Sequence, residues 1–209
     1  MPAQEPNDAT PFLPERRSLK ALREAADGCR GCHLWRHATQ TVFGEGRKSA
    51  RVILVGEQPG DKEDKAGRPF VGPAGRELDR GLEAAGIDRA DAYVTNVVKH
   101  FKFEERGRRR IHQTPKRFEI DACRPWLDEE LKYLKPEALV LLGATAAKAL
   151  LGSSFRVTQH RGELLDCDLA PMVTATIHPS AILRAPDERA RQEEREAFAE
   201  DLRVVARAL

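Results

Sequence analysis

The sequence predicts an α/β protein, a three-layer α/β/α sandwich around a mostly parallel four-stranded sheet. Three observations carry this expectation. Four short runs, RVILVG (51–56), AYVTNVV (92–98), ALVLLG (138–143) and MVTATIH (172–178), are continuously apolar or β-branched, as strands buried on both faces are. Helical stretches separate the runs, the alternation that builds parallel sheets. The chain of 209 residues is 41% hydrophobic and 33% charged, enough to bury a sizeable core without disulfide staples.

Residues 1–17 hold four of the thirteen prolines and little apolar content, so a disordered tail is expected there, with one domain over 18–209. Ser18 can cap a helix reading LKALREAA. After the first strand comes a Gly/Pro-rich loop running through Pro73, then an amphipathic helix over 74–85 that closes at Gly86. Residues 99–114 read as a basic loop. Thr114-Pro115 is expected to start a long helix that ends before Pro136, since Thr caps and Pro suits a first turn. The Ala-rich ATAAKALLG comes after the third strand, and a charged helix over 187–209 closes the chain.

Charge and cysteine content narrow the function. The net charge of +2 says little, but residues 99–117 carry eight Lys/Arg against Glu104 and Glu105, a local excess of +6. Such a segment on a mildly acidic body suggests an anionic ligand. No run approaches the ~18 apolar residues of a membrane span, and no signal-peptide layout is present, so a cytoplasmic, membrane-free protein is expected. In that setting Cys29, Cys32, Cys123 and Cys167 point to metal or cluster ligation rather than disulfides. Cys29-x2-Cys32 suits zinc or iron; the plain alternative is a pair of ordinary small residues at a helix end.

In open α/β sheets ligands bind beyond the carboxyl ends of the strands. The sequence places Glu57-Gln58-Pro59-Gly60, Asn96 and His178-Pro179-Ser180 there. Phe70, among Gly and Pro, fits an aromatic plate for a planar ligand. In Arg108-Arg109-Arg110-Ile111-His112, the arginines suit phosphates and the imidazole is the chemically flexible group; a solvated charge run is the plain alternative.

The blocks GEQPGDKEDKAGRPFVGPAG, YVTNVVKH, ACRPWL, LLGATAAKALLG and HPSAILR together resemble the iron–sulfur uracil-DNA glycosylases of the family 4 type, over about residues 18–205. Gln58 stands where that family has Ala, and His100 where it has Cys. Both departures, and RRRIH, are similar to the UdgX branch, which excises uracil and then becomes covalently joined to DNA through the loop histidine. The resemblance implies a [4Fe–4S] cluster on Cys29, Cys32, His100 and Cys123, although ligand chemistry alone also permits Cys167. It implies catalytic roles for Glu57, His112 and His178, and substrate contacts from Gln58, Asp61, Phe70, Asn96, Arg110 and Ser180. The implied partner is uracil-containing DNA, single-stranded or with the nucleotide flipped out, with free uracil as product and a monomeric protein. Two other readings stay open: an ordinary turning-over glycosylase of base excision repair, and a non-catalytic DNA-binding iron–sulfur module.

Overall fold

A computed structural model describes residues 7–207 and 209. Its centre is a four-stranded, wholly parallel sheet in the order β2-β1-β5-β6, formed by β1 (Val52–Gly56), β2 (Ala92–Asn96), β5 (Ala138–Leu142) and β6 (Met172–Thr176). The register sets Val52 beside both Ala92 and Ala138, so the strands start level and end level. Side chains alternate between two cores. Ile53, Val55, Tyr93, Leu139, Leu141 and Val173 face a cluster with α1 (Leu19–Ala26), α4 (Arg117–Leu134) and α5 (Ala144–Leu151). Val52, Leu54, Val94, Val140 and Leu142 face α3 (Pro73–Ala85) and α7 (Glu188–Ala206). This is the expected sandwich, and its strands are fully sealed because both faces are covered.

The helix ends reflect their local chemistry. Ser18 Oγ accepts from Ala21 N at 3.2 Å and opens α1; Asp187 Oδ1 accepts from Ala190 N at 2.8 Å and opens α7. Gly86 closes α3 with a left-handed φ of 78°. Two short helices, α2 (Asp61–Ala66) and α6 (Val157–His160), complete the set; α2 lies within the segment expected to be loop. None of the described helices is long and apolar enough to cross a membrane.

Three further local expectations differ from the structure. The basic segment is a hairpin, β3 (Phe103–Arg106) and β4 (Arg109–His112), with Arg106 opposite Arg109. Gly107 takes φ 62° in its two-residue turn, the conformation that tight hairpins require. The long helix starts at Arg117 rather than at Thr114-Pro115, because Glu119 folds back to accept from Lys116 N at 2.5 Å. Of the expected tail, residues 1–6 lie outside the described residues, while residues 7–17 are packed onto the body. Ala9 is sealed, and its N–H donates to Ala122 O of α4 at 2.8 Å. One small apolar residue with a long-range main-chain bond anchors a segment whose composition looks disordered.

Candidate active site

The level strand ends open onto a cavity of about 790 Å³. Glu57 and Gln58 reach it from β1, Asn96 from β2, Thr145 from the start of α5, and His178 and Ser180 from beyond β6. Phe70 enters from the loop before α3 and His112 from β4.

Phe70 and Asn96 meet over a glycine. A Cβ on Gly56 would lie 2.4 Å from Asn96 Oδ1 and 2.8 Å from Phe70 Cζ, so this strand end admits no side chain. Phe70 has φ 55°, strained for a non-glycine residue. Its carbonyl lies where a Cβ on Gly75 would sit, so Gly75 lets the strained turn pack onto α3. The Phe70 ring stacks with His178 at 6.1 Å between centroids. Asn96 is buried, and its Oδ1 has no hydrogen-bond partner. Buried acceptors are rarely left so, and this one is positioned for a ligand N–H.

His178 is held by the turn it begins. Ser180 N donates to His178 Nδ1 at 3.2 Å, and Ser180 Oγ lies 2.8 Å from the same nitrogen. Nδ1 therefore serves as acceptor, and in the neutral ring the proton resides on Nε2. Burial lowers the His178 pKa to about 4 against the opposing pull of the Glu57 charge, so the ring is neutral at physiological pH.

Glu57 is hydrogen-bonded on one side and approached by an imidazole on the other, its Oε1 being buried without a hydrogen-bond partner. Thr145 Oγ1 donates to its Oε2, and His112 Nε2 lies 3.2 Å from its Oε1. Burial works to raise its pKa, but the contacts from His112 and Thr145 together outweigh it and hold the group below the usual carboxylate range. An ionised carboxylate thus sits beside a half-exposed imidazole at the cavity mouth.

Three residues expected on the substrate also hold the hairpin, and two of them, Gln58 and Asp61, line the cavity as well. Gln58 Nε2 donates to Lys102 O and to Gln113 O, both at 3.1 Å, and its Oε1 accepts from Lys102 N at 3.0 Å. It ties together the two roots of the hairpin. Arg110 Nε donates to Asp61 Oδ1 and Nη1 to Asp64 Oδ2, each at 2.6 Å. Its guanidinium also lies over the Phe101 and Phe103 rings at 5.3 and 4.9 Å. Burial opposes its charge, but the two carboxylates outweigh that and raise its pKa. Asp61, besides lining the cavity, pairs with Lys65 and Arg110. Arg108 and Arg109 remain exposed. Composition could not separate these from Arg110, because its partners lie 46 and 49 residues away. Asp64 and Thr145 give no sequence signal for the same reason.

Cys29 and Cys123 belong to the core on the α1 and α4 face of the sheet. Both are buried and Cys32 is partly buried, and the three are close enough for each thiol's charge to act on the others. Two sulfurs receive N–H donors: Trp126 Nε1 to Cys29 Sγ and Lys99 N to Cys123 Sγ, each at 3.2 Å. Burial pushes the Cys123 thiol up to about 12, so its thiolate form calls for an electrophilic partner. His100 is buried on the same side. Thr41 Oγ1 donates to Ala26 O at 3.0 Å, the same carbonyl that accepts Cys29 N, and lies 2.9 Å from His100 Nε2. With the hydroxyl proton on Ala26, Nε2 is the donor and Nδ1 keeps its lone pair. Burial holds this ring neutral, lowering its pKa to about 4. Among the described residues no three His, Cys, Asp or Glu side chains close around a single metal ion. The donor set, three sulfurs and a neutral imidazole with hydrogen-bonded sulfurs, nonetheless fits a larger thiolate-bound group. Cys167 lines a separate recess with Leu150, Leu151, Phe155 and the flanking Asp166 and Asp168.

Comparison with known proteins agrees with this geometry. Residues 43–203 match the family model described as the uracil DNA glycosylase superfamily. The chain is 37% identical over 175 residues to a type-4 uracil-DNA glycosylase of Pyrobaculum aerophilum, covering 80% of this chain and 86% of that protein. It is 38% identical over 167 residues to the type-4 enzyme of Thermotoga maritima (79% and 83%) and 36% over 180 to that of Sulfurisphaera tokodaii (82% and 79%). With matches of this length and a carboxyl-edge cavity to match, the chain belongs to the uracil-DNA glycosylase superfamily.

Proposed function

We propose that residues 18–209 act as a single, monomeric domain that excises uracil from DNA and is then captured covalently by the sugar through His112. The observation that carries this reading is the 3.2 Å approach of His112 Nε2 to Glu57 Oε1 at the mouth of the cavity that Phe70, Asn96 and His178 line.

A deoxyuridine enters flipped out or single-stranded. Its ring lies against Phe70, and the Asn96 amide pairs with uracil N3–H and O4. Cytosine offers the opposite pattern and leaves the Asn96 oxygen without a donor. As the C1′–N1 bond breaks, its electrons pass to the base, where His178 Nε2–H supports the oxygen that gains charge. The sugar becomes oxocarbenium-like, and the Glu57 carboxylate stabilises it. His112 Nε2 gives its proton, by way of the Glu57 carboxylate it faces, to the departing uracil, and the freed lone pair bonds to C1′, outrunning water because the hairpin holds the ring at high effective concentration. The imidazole N–H proton balances the uracil anion, so the products are neutral uracil and a protein–DNA adduct. Cys29, Cys32, His100 and Cys123 would hold a [4Fe–4S] cluster, which would tie the α1 region to the segment that launches the hairpin.

The names of the relatives favour a second reading, in which water takes the sugar and the enzyme turns over in repair. Incubation with uracil-containing single strands and then denaturing electrophoresis separates the two. A heat- and detergent-stable band that stops after one uracil per protein supports capture; many uracils released per protein without a band supports turnover.

A further inference from the structure

A buried ion pair outside the cavity, Lys99 with Glu130, is not explained by the chemistry above. Lys99 is 1% exposed and Glu130 is fully sealed. Lys99 Nζ uses all three donors: to Glu130 Oε2 at 2.5 Å, to Thr95 Oγ1 at 2.6 Å and to the main-chain oxygen of Asn96 at 2.8 Å. Glu130 in turn accepts from Tyr93 Oη at 2.7 Å, Thr95 Oγ1 at 2.9 Å and Gly44 N at 3.1 Å. The ammonium also lies 5.4 Å from the Phe43 ring centroid. Every polar atom of the pair is satisfied by the protein, and neither side chain lines the cavity.

Stability alone is a poor reason for such a pair, because well-packed apolar residues usually serve as well. What sets it apart is the third donor. It falls on the carbonyl of Asn96, a cavity-lining residue whose side-chain oxygen is buried and without a partner. The next two residues are also fixed, with Val97 N on Gly56 O at 3.0 Å and Val98 N on Glu57 O at 3.1 Å. Lys99 thereby holds the peptide between Asn96 and Val97 and sets the direction in which the Asn96 amide leaves the chain. The pair also reaches the cysteines. Lys99 N donates to Cys123 Sγ, and Cys123 lies on α4, the helix that carries Glu130.

We infer that Lys99 and Glu130 form a positioning pair for base selection, aiming Asn96 at the pyrimidine edge and tying that aim to α4. The inference rests on Asn96 as the base reader. A misaimed amide still admits a pyrimidine but distinguishes uracil from cytosine less well, since discrimination depends on fixed donor and acceptor positions.

The test uses iron-loaded protein with wild-type visible absorbance. The probes are two single-stranded oligonucleotides that resist cleavage, one with 2′-fluoro-2′-deoxyuridine and one with the matching cytidine. The readout is the ratio of their dissociation constants. In Lys99→Met/Glu130→Met, which replaces the pair with apolar volume, the uracil preference falls about tenfold or more; the melting temperature also falls, because Tyr93 Oη and Gly44 N lose their acceptor, so the ratio is read on folded protein. Thr95→Val removes the bridging hydroxyl from a site that Val fills, and moves the ratio the same way by a smaller factor; it carries the test if the double variant does not fold. A merely structural pair would lower stability and leave the ratio alone, so unchanged ratios in the folded variants overturn the inference. Asn96→Ala locates the failure. If it keeps the uracil preference, Asn96 is not the reader and the inference falls with that reading. If it loses the preference while the pair variants keep theirs, only the positioning role is wrong.

Discussion

Arg110→Met isolates the docking of the hairpin from the chemistry it delivers. Arg110 bonds to Asp61 and Asp64 and lies over Phe101 and Phe103; Met keeps the apolar contact with the rings and removes the charge. Asp64 is fully buried, and it keeps the bonds from Thr39 N at 3.0 Å and from Thr39 Oγ1 at 2.5 Å. Removing one partner of a sealed ion pair costs about 3–5 kcal/mol. Arg110 is 16% exposed and Asp61 is 37% exposed, so solvent screening and Thr39 reduce this to about 2–3 kcal/mol. Placed on the docked state of the hairpin, that lowers the docking equilibrium constant by roughly 30- to 150-fold. Adduct formation falls by as much as that factor in single-turnover gels. Uracil release falls much less, because Glu57, Asn96 and His178 stand on the sheet rather than on the hairpin. Arg110→Met/Asp64→Asn recovers part of the loss, since no buried charge is left unpaired. An adduct rate for Arg110→Met within about threefold of wild type would refute the argument that docking governs capture.

The same geometry sets four more outcomes. Thr145→Val removes a donor from Glu57 and raises its pKa, so the acid limb of the pH profile for uracil release moves upward, and Thr145→Ser restores it; an unmoved limb means Thr145 does not set the carboxylate. His178 has a folded pKa of about 4 against an ordinary 6.5, so the unfolded chain binds the extra proton between those values. Stability from this residue is therefore present above pH 6.5 and is lost as pH falls to about 4, by about 3 kcal/mol, and His178→Asn flattens that part of a denaturation-versus-pH curve. Neutralising Arg108 and Arg109, which are exposed, weakens DNA binding about equally across sequences and lowers its salt slope. Cys167→Ser leaves iron content at the wild-type level, whereas His100→Ala lowers it; the reverse pattern would move the fourth ligand.

The sheet was legible because its strands are sealed on both faces, and a strand buried twice must be written as an unbroken apolar run such as Val52–Gly56 or Ala138–Leu142. The site was legible for a related reason: polar residues that interrupt such a run at its carboxyl end, as Glu57 and Asn96 do, have little structural purpose there. The hairpin was not, since its strands are four residues long, mostly exposed and charged, with Gly107 as the only turn signal. Side-chain roles set by distant partners were also hidden. Nothing near Gln58 in sequence shows that it also ties Lys102 and Gln113 together, and Lys99 reads as part of a basic run until Glu130 arrives from α4.

His112 bears the greatest weight, and peptide mapping of the product tests it most directly. Wild type and His112→Ser are incubated with uracil-containing single-stranded DNA, and released uracil and covalent adduct are measured in parallel. Wild type is expected to give one uracil per protein and an adduct peptide containing His112. The variant is expected to lose the adduct but keep releasing uracil, with water completing the reaction in the space the imidazole leaves. A wild-type level of adduct in His112→Ser, or an adduct mapping outside residues 108–117, would contradict the account.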